Sequence, residues 1–305
     1  MIGIVILNYN SSKDVIECIK SIKQFTSIKY HIYVVDNAST KGSVTYLSDC
    51  LNNWKDVTLI FNSSNAGYSA GNNIGIKRAI NDHCSVIFVV NPDVVLLNDA
   101  LTIMTNDLLS DNRYMMIGPS ICNSFNEEAQ IPRSKITLKS FVLDRKPFNR
   151  FAVFNRLSNR LYKPSDRVFS FSGSVSGCCF GIRADDYLCI NYLDENVFLY
   201  YEEEILAYKM DKINRLSVFD SNAKVFHKEG ITTSKEGNAF VQFHRWNSSL
   251  YVLTHHAHIS FIVSFIIAIW NIAYWLILSI NSKNYRLLCK EFIKSNSAIV
   301  FKRRM

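Results

Sequence analysis

The chain predicts an α/β fold built on a mostly parallel, doubly wound sheet flanked by helices. Two observations carry that prediction. Short β-branched runs alternate with segments of helical spacing over the first half, the order a parallel sheet requires. Those runs end in Asn or Asp, which places polar side chains at the carboxyl edge, where open α/β sheets bind ligands.

Ile2 to Leu7 reads as the first buried strand and opens into the polar loop Asn8-Tyr9-Asn10-Ser11-Ser12. Val15, Ile16, Ile19 and Ile22 follow with helical spacing. His31 to Val35 is a second strand and hands over to Asp36-Asn37-Ala38-Ser39-Thr40. Val57 to Phe61 is a third, leading through Asn65, Gly67, Gly71 and Asn72 into a helix whose apolar face carries Ile74, Ile76, Ala79 and Ile80. Val86 to Val90 is the fourth and ends in Asn91-Pro92-Asp93. An acid delivered there suits a metal-assisted nucleotide site, although Asn91-Pro92 alone also makes an ordinary turn. Gly67, Gly71 and Gly75 lack the dinucleotide spacing and the P-loop lysine, which excludes NAD-binding and ATPase readings.

The series Asn8-Tyr9-Asn10, Val34-Val35-Asp36-Asn37-Ala38-Ser39-Thr40, Asn65 to Gly75, Asn91-Pro92-Asp93, Val175 to Arg183, Asp194 to Glu203 and His227 resembles the family 2 inverting glycosyltransferases, in particular their bacterial rhamnosyltransferase-like branch. The resemblance covers roughly three quarters of the chain and implies the GT-A (Rossmann-like) nucleotide-diphospho-sugar transferase fold. It also implies donor-binding roles for Asn8, Asn10, Asp36, Asn65, Gly67, Asn72, Asn91 and Asp93. Asp36 would accept the imide proton of uracil or thymine; its alternative is a helix-capping or turn aspartate.

Breaking a sugar–diphosphate bond builds charge on the departing phosphate, and Mn²⁺ or Mg²⁺ neutralises it through oxygen ligands while leaving positions for phosphate oxygens. Asp93 is the candidate ligand, with His227 aligning with a family histidine that completes the metal or diphosphate contact. The family carries Asp-any-Asp where this chain has Asn91-Pro92-Asp93, so a two-carboxylate metal site is not expected. Inversion needs a base on the acceptor hydroxyl. Glu202-Glu203-Glu204 follow an aromatic run, where like charge and apolar surroundings raise carboxyl pKa values. The family pairs Glu with Asp here and uses the second acid, which maps to Glu203, with Glu202 as the alternative.

Composition bounds the rest. The net charge of +8 and the many aromatics come without an RNA-binding or helix-turn-helix signature, so no nucleic-acid partner is expected. A nucleotidyltransferase would show a basic glycine-rich loop after the first strand, where this chain has Asn8 to Ser12; a non-catalytic glycosyltransferase-like scaffold is the other alternative. Eight scattered cysteines without a CxxC pair fit a reducing compartment, and Met1 leading directly into a strand predicts no signal peptide. Residues 1–237 are expected to form the catalytic domain, with 1–119 as the nucleotide-binding half and 120–237 as the acceptor half; 238–305 form a helical membrane-associating extension.

The acceptor half is basic from about Ser120 to Phe171, through Arg133, Lys135, Arg145, Lys146, Arg150, Arg160 and Lys163, which suits an anionic, lipid-linked saccharide acceptor as well as a solvated face. Ile259 to Ile280 contains no charge and is long enough to span a bilayer. A single span would carry Lys283, Arg286, Lys290, Lys294, Lys302, Arg303 and Arg304 outward, against the positive-inside rule. A dipping or in-plane helix at the cytoplasmic membrane face is therefore expected, with a buried core helix, a homodimer interface or a single span, since that rule is statistical, as the alternatives. Together these readings predict transfer of rhamnose from dTDP-rhamnose, or a hexose from a UDP-sugar, in surface-polysaccharide (O-antigen or capsule) synthesis.

Overall fold

The computed structural model describes residues 1–122, 128–130, 132–145, 151, 153, 156–157, 159–162, 166–228 and 237–302. Lys146, Arg150, Lys163, Arg303 and Arg304 lie outside the described residues. The first half runs β1 (Ile2–Asn8), α1 (Ser12–Phe25), β2 (Tyr30–Asp36), α2 (Lys41–Leu51), β3 (Val57–Phe61), α3 (Tyr68–Asn81) and β4 (Val86–Val90). These strands pair in parallel in the order β3-β2-β1-β4, as the alternation of strand and helix predicts.

The second half continues through β5 (Val94–Leu96), α4 (Ala100–Ser110), β6 (Tyr114–Cys122), β7 (Glu128–Gln130), β8 (Arg133–Ser134), α5 (Leu138–Leu143), β9 (Val168–Phe171), β10 (Gly173–Ser174), β11 (Cys179–Arg183), α6 (Ala184–Cys189), α7 (Glu202–Asp211) and β12 (Leu216–His227). Here the sheet turns mixed. Strand β11 inserts antiparallel between β4 and β6, and β12 runs parallel to β6 and antiparallel to β5 and β9.

Period-two alternation divides the core between the two faces of the sheet. Ile4 and Ile6 pack with Val15, Ile19 and Leu47 on one face, and Val5 packs with Ile76 and Ala79 on the other. Helix α3 lies flush on β1 because its inner face is glycine: a Cβ on Gly71 would fall 2.5 Å from Leu7 Cδ1, and one on Gly75 2.5 Å from Val5 Cγ1. These two glycines therefore serve helix–sheet packing.

The C-terminal helices are α8 (Gly237–Tyr251), a π-helical turn (Val252–His256), α9 (Phe261–Asn281) and α10 (Lys283–Phe301). Helix α8 is bound to the preceding α/β part by Ser248 Oγ donating to the Leu199 carbonyl at 2.8 Å and Tyr251 Oη donating to Asp194 at 3.1 Å. By length and composition α9 could cross a membrane, and only 28% of its most apolar window is buried. Its polarity is inverted: Ser264, Asn271 and Ser279 face inward, whereas Ile262, Ile266, Ile269, Leu276, Ile277 and Ile280 are exposed. Asn271 Nδ2 donates to Asn296 Oδ1 of α10 at 3.0 Å, so the buried polar row is satisfied within the helical hairpin.

Candidate active site

The carboxyl ends of the parallel strands open into a cavity of about 370 Å³. Leu7 and Tyr9 arrive from β1, Asn37 from β2, and Asn91, Pro92 and Asp93 from β4. Asn65, Gly67 and Tyr68 enter from the start of α3, Glu202 and Glu203 from the start of α7, and His227 from the end of β12. Seven sequence-predicted site residues thus share one cavity: Asn65, Gly67, Asn91, Asp93, Glu202, Glu203 and His227.

Asn8, Asn10, Asp36 and Asn72 are absent from that lining. Asn8 Nδ2 donates to Asp36 Oδ2 at 2.6 Å and to Ser39 Oγ at 3.0 Å, while Asp36 Oδ1 accepts from the Ser39 amide at 3.0 Å. The pair is buried and ties the ends of β1 and β2 together behind the cavity wall. Asn10 Oδ1 accepts from the Thr40 amide at 2.9 Å and locks the two loops to each other. Asn72 is buried and donates to the Tyr68 carbonyl one helical turn back at 3.0 Å.

Asn37 is a lining residue to which the sequence reading assigned no role. Its amide donates to Asn65 Oδ1 at 2.8 Å, and that oxygen also accepts from the Gly67 amide at 3.0 Å, so the loop before α3 is held open by an asparagine relay. Gly67 is needed twice over: its φ of +97° is left-handed, and a Cβ would collide with the Phe198 carbonyl oxygen. Tyr68 completes the clamp by donating its amide to that carbonyl at 2.8 Å and its hydroxyl to the Gly177 carbonyl at 2.7 Å. Phe240 was also unforeseen. It comes from α8, in the segment read as an extension, and packs with Phe198 around His244 at ring distances of 6.3 and 4.5 Å.

Asp93 and His227 form the polar floor, with His227 Nε2 3.3 Å from Asp93 Oδ1. Burial opposes a charge on this imidazole, but its hydrogen bonds to Asp93 and the Cys178 thiol prevail and raise its pKa to about 10. Asp93 thus keeps the imidazole protonated, and a divalent ion would have to displace that proton; one carboxylate and one neutral imidazole side by side would then make a donor set that suits an ion taking its remaining ligands from phosphate and water. Among the described residues no group of three or more His, Cys, Asp or Glu side chains forms a fuller metal cage.

The three consecutive acids separate in space. Glu204 is neutralised by Arg160 at 2.6 Å and accepts from the Ile136 amide at 2.8 Å, so it takes no part in the cavity. Glu202 faces the cavity with one buried oxygen that has no hydrogen-bond partner, and burial followed by repulsion from Glu203 pushes its pKa up to about 8. Glu203 is raised to about 7, mainly by burial, and it also borders a second, larger cavity. Both acids follow Tyr200 and Tyr201, whose φ values of 72° and 71° are left-handed for non-glycine residues, strain of the kind stored at functional sites.

Residues 3–185 match the family model described as Glycosyl transferase family 2. A low-salt glycan biosynthesis hexosyltransferase of Haloferax volcanii is 27% identical over 217 residues, which cover 70% of this chain and 62% of that protein. The chain thus spans less than two thirds of that relative. GalNAc-T7, solved with UDP, GalNAc and Mn²⁺, superposes with a TM-score of 0.56 at 14% identity, covering 75% of this chain and 44% of that one. The Pyrobaculum calidifontis mannosyltransferase with GDP-Man and Mn²⁺ gives 0.55 at 11% identity, covering 99% and 87%. TarS of S. aureus with UDP gives 0.52 at 12%, covering 99% and 73%. The shared architecture is the GT-A fold, a mixed sheet flanked by helices with an apolar helix added at the C-terminal end.

Proposed function

Because this chain belongs to glycosyl transferase family 2, we propose that it transfers one sugar, with inversion, from a nucleotide-diphosphate donor to a saccharide acceptor held at a membrane surface. The observation that carries this reading is the placement of Glu203. It lines the cavity that contains Asp93 and His227 and also the neighbouring one, the position a base needs between donor and acceptor.

In this mechanism Glu203 takes the proton of the acceptor hydroxyl as that oxygen attacks the anomeric carbon, and the bond from that carbon to the diphosphate breaks. Burial, with the charge of Glu204 added, lifts the Glu203 pKa to about 7, while Glu202 beside it is pushed higher still, to about 8, and so keeps its proton at neutral pH. Phe198 and Phe240 wall the donor cavity and exclude water from it. Asp93 and His227 would hold Mn²⁺ or Mg²⁺, which when bound neutralises charge on the departing diphosphate. A hexose from a UDP-sugar, or rhamnose from dTDP-rhamnose, is the proposed cargo, for surface-polysaccharide assembly.

The inverted polarity of α9 supports attachment to the cytoplasmic face of a membrane. A helix that buries Ser264, Asn271 and Ser279 while exposing a continuous isoleucine stripe is solvated by lipid, because water would favour the opposite arrangement. Helix α10 folds back along α9 and exposes Lys283, Arg286, Lys290 and Lys294, cations that suit anionic headgroups.

Calorimetry of the detergent-solubilised chain with UDP, dTDP, GDP and ADP, with and without Mn²⁺, tests the reading. Selective Mn²⁺-dependent binding of UDP or dTDP is expected. No binding to any of the four would overturn it in favour of a non-catalytic scaffold.

A further inference from the structure

Beside the donor cavity lies a larger one of about 680 Å³, separated from it only by Tyr200 and Glu203, which line both. Four arginines line it: Arg133, Arg145, Arg160 and Arg245. Arg160 is neutralised by Glu204. The other three have no carboxylate ion-pair partner among the described residues. Asp144, exposed at the rim, acts electrostatically on Arg160.

Arg145 is the most telling of the three. Its guanidinium lies over the Phe141 ring at 4.0 Å and the Trp246 ring at 5.2 Å, and among the described residues it donates only to the neutral groups Asn271 Oδ1 and Ser249 Oγ. Burial costs it so much charge stabilisation that its pKa falls to about 10. A desolvated cation fixed by neutral partners and facing a cavity is arranged for an anion supplied from outside. The lining also includes Trp270, Tyr274 and Leu278 of α9, the helix that holds Arg145 through Asn271 and whose outer side is the exposed isoleucine stripe.

We propose that this second cavity is the acceptor subsite, and that it takes a saccharide joined to a lipid through a phosphate or diphosphate, with the anionic linker on Arg133, Arg145 and Arg245. The proposal rests on the glycosyl-transfer reading above and names the acceptor of that reaction. The sugar end reaches Glu203, the linker lies on the arginines, and the lipid leaves along Trp270, Tyr274 and Leu278 toward the bilayer face of α9. Guanidinium groups are the appropriate side chains here, because their forked donors match phosphate oxygens bidentately.

The test is equilibrium binding of farnesyl phosphate to the full chain in detergent, with the donor cavity saturated by UDP. Inorganic phosphate and farnesol serve as the two half-ligands. Farnesyl phosphate is expected to bind at least tenfold more tightly than either half. The Arg133→Gln/Arg245→Gln double variant, exposed positions that leave the core intact, is expected to lose about tenfold or more of that affinity. Arg145→Gln is expected to do the same. In each variant UDP affinity stays at the wild-type value. Equal farnesyl phosphate binding by wild type and double variant would overturn the proposal, and so would phosphate or farnesol binding as tightly as farnesyl phosphate. UDP binding is read in the same samples. Its absence from the wild type strikes the glycosyl-transfer reading, whereas bound UDP without farnesyl phosphate strikes the acceptor proposal alone.

Discussion

His227 Nε2 stands 3.3 Å from Asp93 Oδ1, and the sheet itself holds the two together. Strand β12 pairs with β5 so that His227 lies opposite Val94, the residue after Asp93, and the Lys228 amide donates to the Asp93 carbonyl at 3.1 Å. Residues distant in sequence are thus positioned by backbone register, so the pair is rigid before any donor arrives.

Asp93→Asn removes the carboxylate and leaves that register untouched. Mn²⁺-dependent donor affinity should fall by about tenfold or more, with Tm close to wild type. His227→Gln should give a smaller loss in the same direction. Calorimetric titration of UDP with and without Mn²⁺ reads both. A Mn²⁺ effect in Asp93→Asn equal to that of wild type would remove Asp93 from the metal site.

Glu203→Gln keeps the shape of the side chain and abolishes the base. Transfer should slow by roughly 10²–10⁴-fold while donor affinity is retained, the signature of a group that acts in the chemical step. Glu202 borders the donor cavity alone, so Glu202→Gln should cost less. Single-turnover transfer assays decide between them, and a larger defect in Glu202→Gln would exchange the two roles.

The pH dependence of rate and of stability should run in opposite directions. Burial raises Glu203 from 4.5 to about 7, so transfer should climb tenfold per pH unit below about 7 and level off above it. The folded chain keeps protons on Glu203 and Glu202 that the unfolded chain loses near pH 4.5, so stability declines from there until about pH 8. His227, raised to about 10, adds stabilisation that is complete below 6.5 and lost as the pH climbs through 10. All three groups lower Tm with rising pH. Glu203→Gln should therefore flatten the decline between pH 5 and 8 while it removes activity. A wild-type Tm that rises across this range in scanning calorimetry would contradict the buried-acid account.

Much of this site is legible in the chain because strand ends announce themselves: the apolar run Val86–Val90, closed by Asn91-Pro92-Asp93, places its acid at the sheet edge. Composition says less about direction. Asn8 and Asp36 occupy the same edge, yet they bond to each other, and no spacing rule distinguishes an acid aimed into a cavity from one aimed at its neighbour. Gly71 and Gly75 mark close approach, but whether toward ligand or toward Val5 and Leu7 depends on helix rotation. The antiparallel insertion of β11, and the arrival of Phe240 from α8 and of Arg145 from just beyond α5, are tertiary facts that local periodicity does not encode.

Helix α9 supplies the last prediction. Helix α10 is tied to it at both ends: Phe301 packs on Phe261 and Phe265 with ring distances of 5.9 and 6.4 Å, and Arg286 donates to the Ser279 and Ile280 carbonyls at 3.2 and 3.0 Å, so the exposed stripe of α9 is held facing outward. Burying one isoleucine contributes about 1.5–3 kcal/mol, so losing two should weaken membrane binding by roughly 100-fold or more. Ile266→Lys/Ile277→Lys should therefore stay soluble when vesicles containing phosphatidylglycerol are floated on a density gradient, whereas wild type floats with them. Because both changes lie on the outer face, UDP affinity should be retained. A double variant that floats like wild type, or a wild-type chain that ignores the vesicles and pairs through this stripe with a second copy, would show that α9 faces something other than lipid.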